Sequence, residues 1–178
     1  MPATELRPDP AQVREAGIAD VAQVAQIHVR SWQVAYQGLL PEELLAQLDP
    51  KQRAERWNRA VIDGDPILLV AVDGADQPVG FVAVGASRDD DADGTTGEVY
   101  ALYLDPDRQR RGHGRALLTA SVLHLRETGF SVATLWVAAG NQQAVRFYED
   151  QGWEADGTMR RDAVGECQLE QHRYRREL

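Results

Sequence analysis

A single cysteine, Cys167, stands in this 178-residue chain, so no intramolecular disulfide is available and a reducing, cytoplasmic setting is expected. No apolar run approaches the ~20 residues that a membrane-spanning helix needs, and the first residues lack a basic-then-apolar signal. A membrane partner is therefore not expected. Positive charge is short as well: 19 Lys and Arg face 28 Asp and Glu, a net charge of -9. That argues against nucleic acid, whose phosphates need a basic face. The acidic balance suits a cationic, amine-bearing substrate, although acidic surfaces also arise for solubility. His28, His113, His124 and His172 show no ligand spacing, so no metal is expected. Internal repeats are absent too.

What remains is ordinary globular material, 43% hydrophobic and 26% charged. Residues 1–10 hold three prolines and read as a disordered tail. Residues 11–178 suit one domain, long enough to bury roughly 70% of the surface the unfolded chain exposes. Val13 to Gly17 is a short strand candidate. Asp20, with Gln23 at the capping-box position, opens a helix whose apolar residues recur at helical spacing from Val21 to about Tyr36. Pro41 with Glu42 and Glu43, and Asp49-Pro50, open two more helices, the second ending near Gly64. Ile67–Val72 and Val79–Gly85, joined by Asp73-Gly74-Ala75-Asp76, form an antiparallel hairpin. The polar stretch SRDDDADGTTG reads as a flexible loop. Its Asp89, Asp91, Asp93 and Gly94 match the opening of a calcium loop, but the closing acid is misplaced and no helix precedes it.

The chain is organised around EVYALYLDPDRQRRGHGRALL, Glu98 to Leu118. Glu98 to Leu104 does not alternate, which suits a central strand buried on both faces. Asp105-Pro106 stops it. Gln109-Arg110-Arg111-Gly112-His113-Gly114 then leads into a helix from Gly112 to Thr128. Orphan N–H groups and the positive end of a helix dipole at such a turn make an anion trap. The two glycines let a ligand approach the backbone without a Cβ in the way. An ATP-binding P-loop would need Lys-Ser/Thr where Arg115-Ala116 stand, and a dinucleotide fingerprint would need glycine at Leu117. A strand over Val132–Val137 follows, then Asn141 as the cap of a short helix bearing Ala144, Val145 and Tyr148. Trp153 to about Arg160 and Glu166 to about Arg175 read as a final hairpin.

The loop, its flanking strand and helix, and Asn141 with Tyr148 together resemble the GNAT N-acetyltransferases, whose loop pattern is Gln/Arg-x-x-Gly-x-Gly/Ala. The N-terminal SWQVAYQGLLPEELL resembles the first two helices of many such enzymes. The likeness runs from about Val13 to about Tyr174. It implies an α/β fold with a mixed, mostly antiparallel sheet of about six to seven strands flanked by helices and splayed between strands four and five. It implies acetyl-CoA as co-substrate, its pyrophosphate held by amides from Gln109 to Arg115, with charge added by Arg110, Arg111 and Arg115. His113 fills a variable loop position. Backbone of Leu102, Tyr103 and Leu104 would pair with the pantetheine arm, and an N–H near Leu104 would polarise the thioester carbonyl. Asn141 would contact the donor.

Tyr148 lies two helical turns from Asn141 on one face, and a phenol near ~10 can protonate a thiolate near ~8.5. Glu98 is the candidate base, acting through water on the acceptor's ammonium. Trp32 and Tyr36 are candidates to line the acceptor pocket. The expected activity is direct transfer of acetyl to a primary amine, a small molecule or a peptide, in a ternary complex. The resemblance allows a homodimer. The rival reading is a non-catalytic acyl-CoA-binding regulatory module with the same fold.

Overall fold

The computed structural model of the chain describes residues 11–178, and the expected tail over 1–10 lies outside them. The elements run β1 (Gln12–Glu15), α1 (Val21–Ala35), α2 (Glu42–Ala46), α3 (Pro50–Asp63), β2 (Ile67–Val72), β3 (Pro78–Ala86) and β4 (Thr96–Leu104). They continue with α4 (His113–Glu127), β5 (Val132–Ala138), α5 (Gln142–Asp150), β6 (Glu154–Val164) and β7 (Cys167–Glu177). One seven-stranded sheet has the order β1-β2-β3-β4-β5-β7-β6. Every neighbouring pair is antiparallel except β4 and β5. This is the mixed α/β sheet the sequence implies.

Both faces of the sheet are covered, which is why its central strands read as unbroken apolar runs. On one face α4 lays Leu117, Leu118, Val122 and Leu125 against Val82, Val84, Val99 and Leu135, with Tyr148 and Trp153 joining from α5 and its end. On the other, Val24 and Ile27 of α1 and Trp57 of α3 pack against Leu68, Val70, Phe81 and Ala83. Fully burying a side chain such as Phe81 contributes about 1.5–3 kcal/mol. A third cluster joins Tyr36, Leu40 and Leu45, from α1 through α2, to Ala138 and Leu169 at the far end of β5 and β7.

The departure from regularity that matters lies in β4. Val84 pairs with Val99 and Ala83 with Ala101, so Tyr100 is the extra residue of a bulge. A bulge bends its strand and raises its twist. From that point β4 leaves β5: the two pair only over Thr96–Val99 and Val132–Leu135. Trp136 to Ala138 stay with β7, opposite Arg173, His172 and Gln171. The expected splay between strands four and five is therefore present, opening at Tyr100.

Two local expectations are corrected. Asp20 does not cap α1 through its side chain, because a 3-10 turn over Ile18–Asp20 already carries the chain into the helix. Its carboxylate turns back to Gly17 N (2.8 Å) and to Arg14 (2.7 and 3.0 Å). The loop before β4 is not loose either. Asp91 accepts from Arg173 at 2.6 and 2.7 Å, Asp89 accepts from Trp136 Nε1 at 3.0 Å, and Asp93 accepts from the Thr95 N–H at 2.9 Å. Asp89 and Asp91 thus meet Arg173, although Asp91 and Asp93 stay exposed; Arg173 is itself buried and also donates to Asp156 at 2.7 Å. No described helix is long and apolar enough to cross a membrane.

Candidate active site

At the end of β4 the chain is anchored before it turns. The Asp105 N–H bonds Val79 O, and the buried Asp105 carboxylate accepts from Asp107 N (3.0 Å) and from Arg30 of α1 (2.7 Å). After a 3-10 turn over Pro106–Arg108, Arg110 and Gly112 take positive φ values of 61° and 87°. Such alternation turns successive amides toward one side, forming an anion-binding nest. None of the amides from Gln109 to Arg115 donates a hydrogen bond to another described residue; the first helical bond is Ala116 N to Gly112 O, at 3.0 Å. Left-handed backbone is strained for an arginine, and such outliers gather at functional sites.

The two loop glycines serve different ends. A Cβ on Gly112 would meet nothing within 4 Å, so its absence keeps the space above the amides clear. A Cβ on Gly114 would instead lie 3.3 Å from Leu104 and 3.5 Å from Phe147, so the bare backbone lets α4 pack against β4 and α5. Gly114 therefore serves packing as well, while still lining the cavity at the β4–β5 gap. Arg110, Arg111 and Arg115 are in no ion pair among the described residues.

A cavity of about 560 Å³ runs from this loop into the gap between β4 and β5. Its walls bring together Leu102, Tyr103, Leu104, Gln109, Arg110 and Gly112 with Gly114, Arg115, Asn141, Tyr148 and Tyr36. Arg111, His113, Trp32 and Glu98 stand outside it. Bonding along an antiparallel strand alternates, so with Asp105 N committed to β3, Leu104 and Leu102 turn their backbone groups into the gap. Ser31 of α1 checks this, since its hydroxyl donates to Leu104 O at 2.6 Å.

Tyr148 is buried on α5, edge-on to Phe147 (5.3 Å) and Trp153 (6.3 Å), and its hydroxyl bonds no described residue. Burial, with the Tyr103 phenol adding to it, pushes its pKa up, so the phenol keeps its proton at neutral pH. Asn141 Oδ1 accepts from Ala144 N at 3.1 Å, capping α5 and leaving its amide NH₂ to the cavity. Glu98 is buried beside the gap. Its Oε2 accepts from Arg88 N (2.9 Å) and faces Ser87 (3.4 Å). Desolvation, opposed by the Arg88 N–H and reinforced by Asp89, raises its pKa. Trp32 is half-buried, stacked edge-on to Tyr36 at 4.7 Å.

Sequence reasoning missed four groups. Ser31 and Arg30 pin α1 to the end of β4, Gln143 donates to Gln109 at 3.0 Å, and Trp136 walls the far side of the gap. Ser31 and Arg30 sit in an amphipathic helix with no local signal. Trp136 alone had one, being a lone aromatic in an aliphatic strand.

A single fold with one open, amide-lined gap defines the class. The acetyltransferase (GNAT) family model matches residues 22–153, and the chain belongs to that family. It is 36% identical over 137 residues to the uncharacterized N-acetyltransferase YuaI of Bacillus subtilis, covering 77% of this chain and 76% of that protein. To the mycothiol acetyltransferase of Actinosynnema mirum it is 42% identical over 108 residues, spanning 59% of this chain but only 33% of that longer protein. The PaiA N-acetyltransferase of Thermoplasma acidophilum, solved in complex with coenzyme A, shares the fold at 19% identity. Its TM-score is 0.71, over 94% of this chain and 98% of that one.

Proposed function

We propose that the chain moves the acetyl group of acetyl-CoA to a primary amine by direct attack in a ternary complex. The observation that carries this is the run of unspent amides from Gln109 to Arg115 at the mouth of the β4–β5 gap. Four orphan donors at a helix start attract a diphosphate, and Arg110 and Arg115 add unpaired positive charge beside them. Inside the gap, Leu102 and Leu104 offer backbone groups to a pantetheine arm as a further strand would. The Leu104 N–H is placed to stabilise negative charge on the thioester oxygen.

Attack by the neutral amine forms the C–N bond, and collapse breaks the C–S bond. Tyr148 then gives its phenolic proton to the departing thiolate. The proton lost from the amine goes to Glu98 through water. The raised pKa of Glu98 makes it a better base than an ordinary carboxylate, and its place just outside the cavity requires the intervening water.

Calorimetric titration with CoA, followed by thiol release with acetyl-CoA and an amine panel, tests the reading. Micromolar CoA binding with amine-dependent release is expected, with Tyr148→Phe reducing kcat. Failure to bind CoA would remove the reading altogether. Tight binding with no transfer to any amine would leave a binding module in its place.

A further inference from the structure

On the face that α1 and α3 cover, a second group of cations stands unpaired. Arg53 and Arg56, three residues apart on α3, lie on one side of that helix. Arg53 Cζ is 5.2 Å from the centre of the Trp32 ring and Arg56 Cζ is 5.5 Å from that of Trp57. Arg88, leaving β3, sits over Tyr100 at 3.9 Å. Among the described residues none of the three is in an ion pair. Arg14, Arg30 and Arg173, by contrast, are each gripped by two or more carboxylates. An aromatic face steadies a guanidinium but leaves its forked N–H donors unspent.

The three also feel one another: partial burial lowers the pKa of Arg56 first, and the charges of Arg53 and Arg88 lower it further. Uncompensated cations held together cost free energy unless an anion joins them. Glu98 does not do so: it accepts from the Arg88 backbone N–H and is in no ion pair with the three guanidinium groups. Asp65 acts electrostatically on Tyr100 but pairs with none of the three.

The bulge links this cluster to the site. It turns Tyr100 and Ala101 together, with Tyr103, toward the α1 and α3 face, and all three also line the cavity. We propose that the acceptor is a small primary amine that also carries a carboxylate, which Arg53, Arg56 and Arg88 hold while the amine reaches the gap. This rests on the acetyl-transfer reading of the gap. The two charged groups of such a molecule find different partners: the arginines for the carboxylate, Glu98 and Tyr148 for the reacting amine. A small molecule rather than a protein tail fits because the cavity of about 560 Å³ must also take the pantetheine arm.

The test uses thiol release with matched acceptors: free amino acids, their amides, the corresponding decarboxylated amines, spermidine, and an acidic tripeptide. The amine of an amino-acid amide is less basic, so chemistry alone favours the amide, and a preference for the free acid reports binding. Free acids are expected to show at least tenfold higher kcat/KM than their amides. Arg53→Gln, Arg56→Gln and Arg88→Gln are each expected to raise the acceptor KM at least tenfold and leave CoA affinity unchanged, which also shows that the variants fold. Equal use of amides or spermidine, no transfer to any carboxylate-bearing amine, or wild-type KM in the arginine variants would each overturn the inference. Preference for the tripeptide would overturn its small-molecule part. If CoA itself fails to bind, the underlying acetyl-transfer reading has failed instead.

Discussion

Gly112 sits at φ 87° with open space where a Cβ would go, beside amides that bond nothing among the described residues. Gly112→Ala therefore separates two effects. Left-handed backbone costs an alanine about 1–2 kcal/mol. At this chain length that lowers Tm by roughly 2–8 °C. The methyl also projects toward the space a diphosphate oxygen must enter to come within ~3 Å of the amides. Losing one charge-assisted hydrogen bond costs about 1.5–3 kcal/mol, or roughly ten- to a hundredfold in CoA affinity. Gly64→Ala is the control. Gly64 ends α3 at φ 69°, again with nothing within 4 Å, so it shares the backbone strain but lies away from the cavity. Calorimetry with CoA and with pantetheine, which lacks the diphosphate, reads the difference. Gly112→Ala should weaken CoA while sparing pantetheine; Gly64→Ala should spare both and lose similar Tm. The reasoning fails if Gly112→Ala binds CoA as the parent does, or if both ligands weaken equally.

Tyr148→Phe should lower kcat by about 10²–10⁴ with little change in KM, read by steady-state thiol release, because the hydroxyl makes no structural bond. Glu98 must be ionised to act as a base and its pKa is raised, so kcat/KM should climb with pH through a limb above the usual carboxylate range. Glu98→Gln should abolish that limb. His28, whose Nδ1 accepts from Trp57 Nε1 at 3.1 Å, is pushed down to about 3 by burial and by Arg53 and Arg56. The native state thus binds fewer protons than the unfolded one between pH 6.5 and 3. Stability is full above pH 6.5 and should fall by about 2 kcal/mol on reaching pH 5, measured by urea unfolding in the parent but not in His28→Gln. Arg173→Met should cost about 1–3 kcal/mol in the same assay, since it leaves the partly screened Asp89 and Asp156 without their cation.

The uneven legibility of this protein follows from the range over which each feature is encoded. The loop is local: Gln109, Gly112 and Gly114 declare themselves within six residues, and Asp105-Pro106 marks where the strand must stop. Tyr148 is legible because Asn141 caps its helix and fixes which face it presents. The gap is different, because no run of β4 announces a bulge. Val99, Tyr100 and Ala101 all read as strand, and only their pairing with Ala83 and Val84 leaves Tyr100 over. Yet that extra residue parts β4 from β5, turns the backbone of Leu102 and Leu104 into open space, and brings Tyr100 under Arg88. The acidic loop was misjudged for the same reason, since Asp89 and Asp91 lie more than eighty residues from Arg173. Net charge is likewise blind to position. The overall value of -9 says nothing about Arg53, Arg56 and Arg88, which the fold gathers from two elements without supplying acids to meet them. A loop built from one short segment can be read off a sequence, whereas a cluster assembled across the sheet becomes visible only once the register is known.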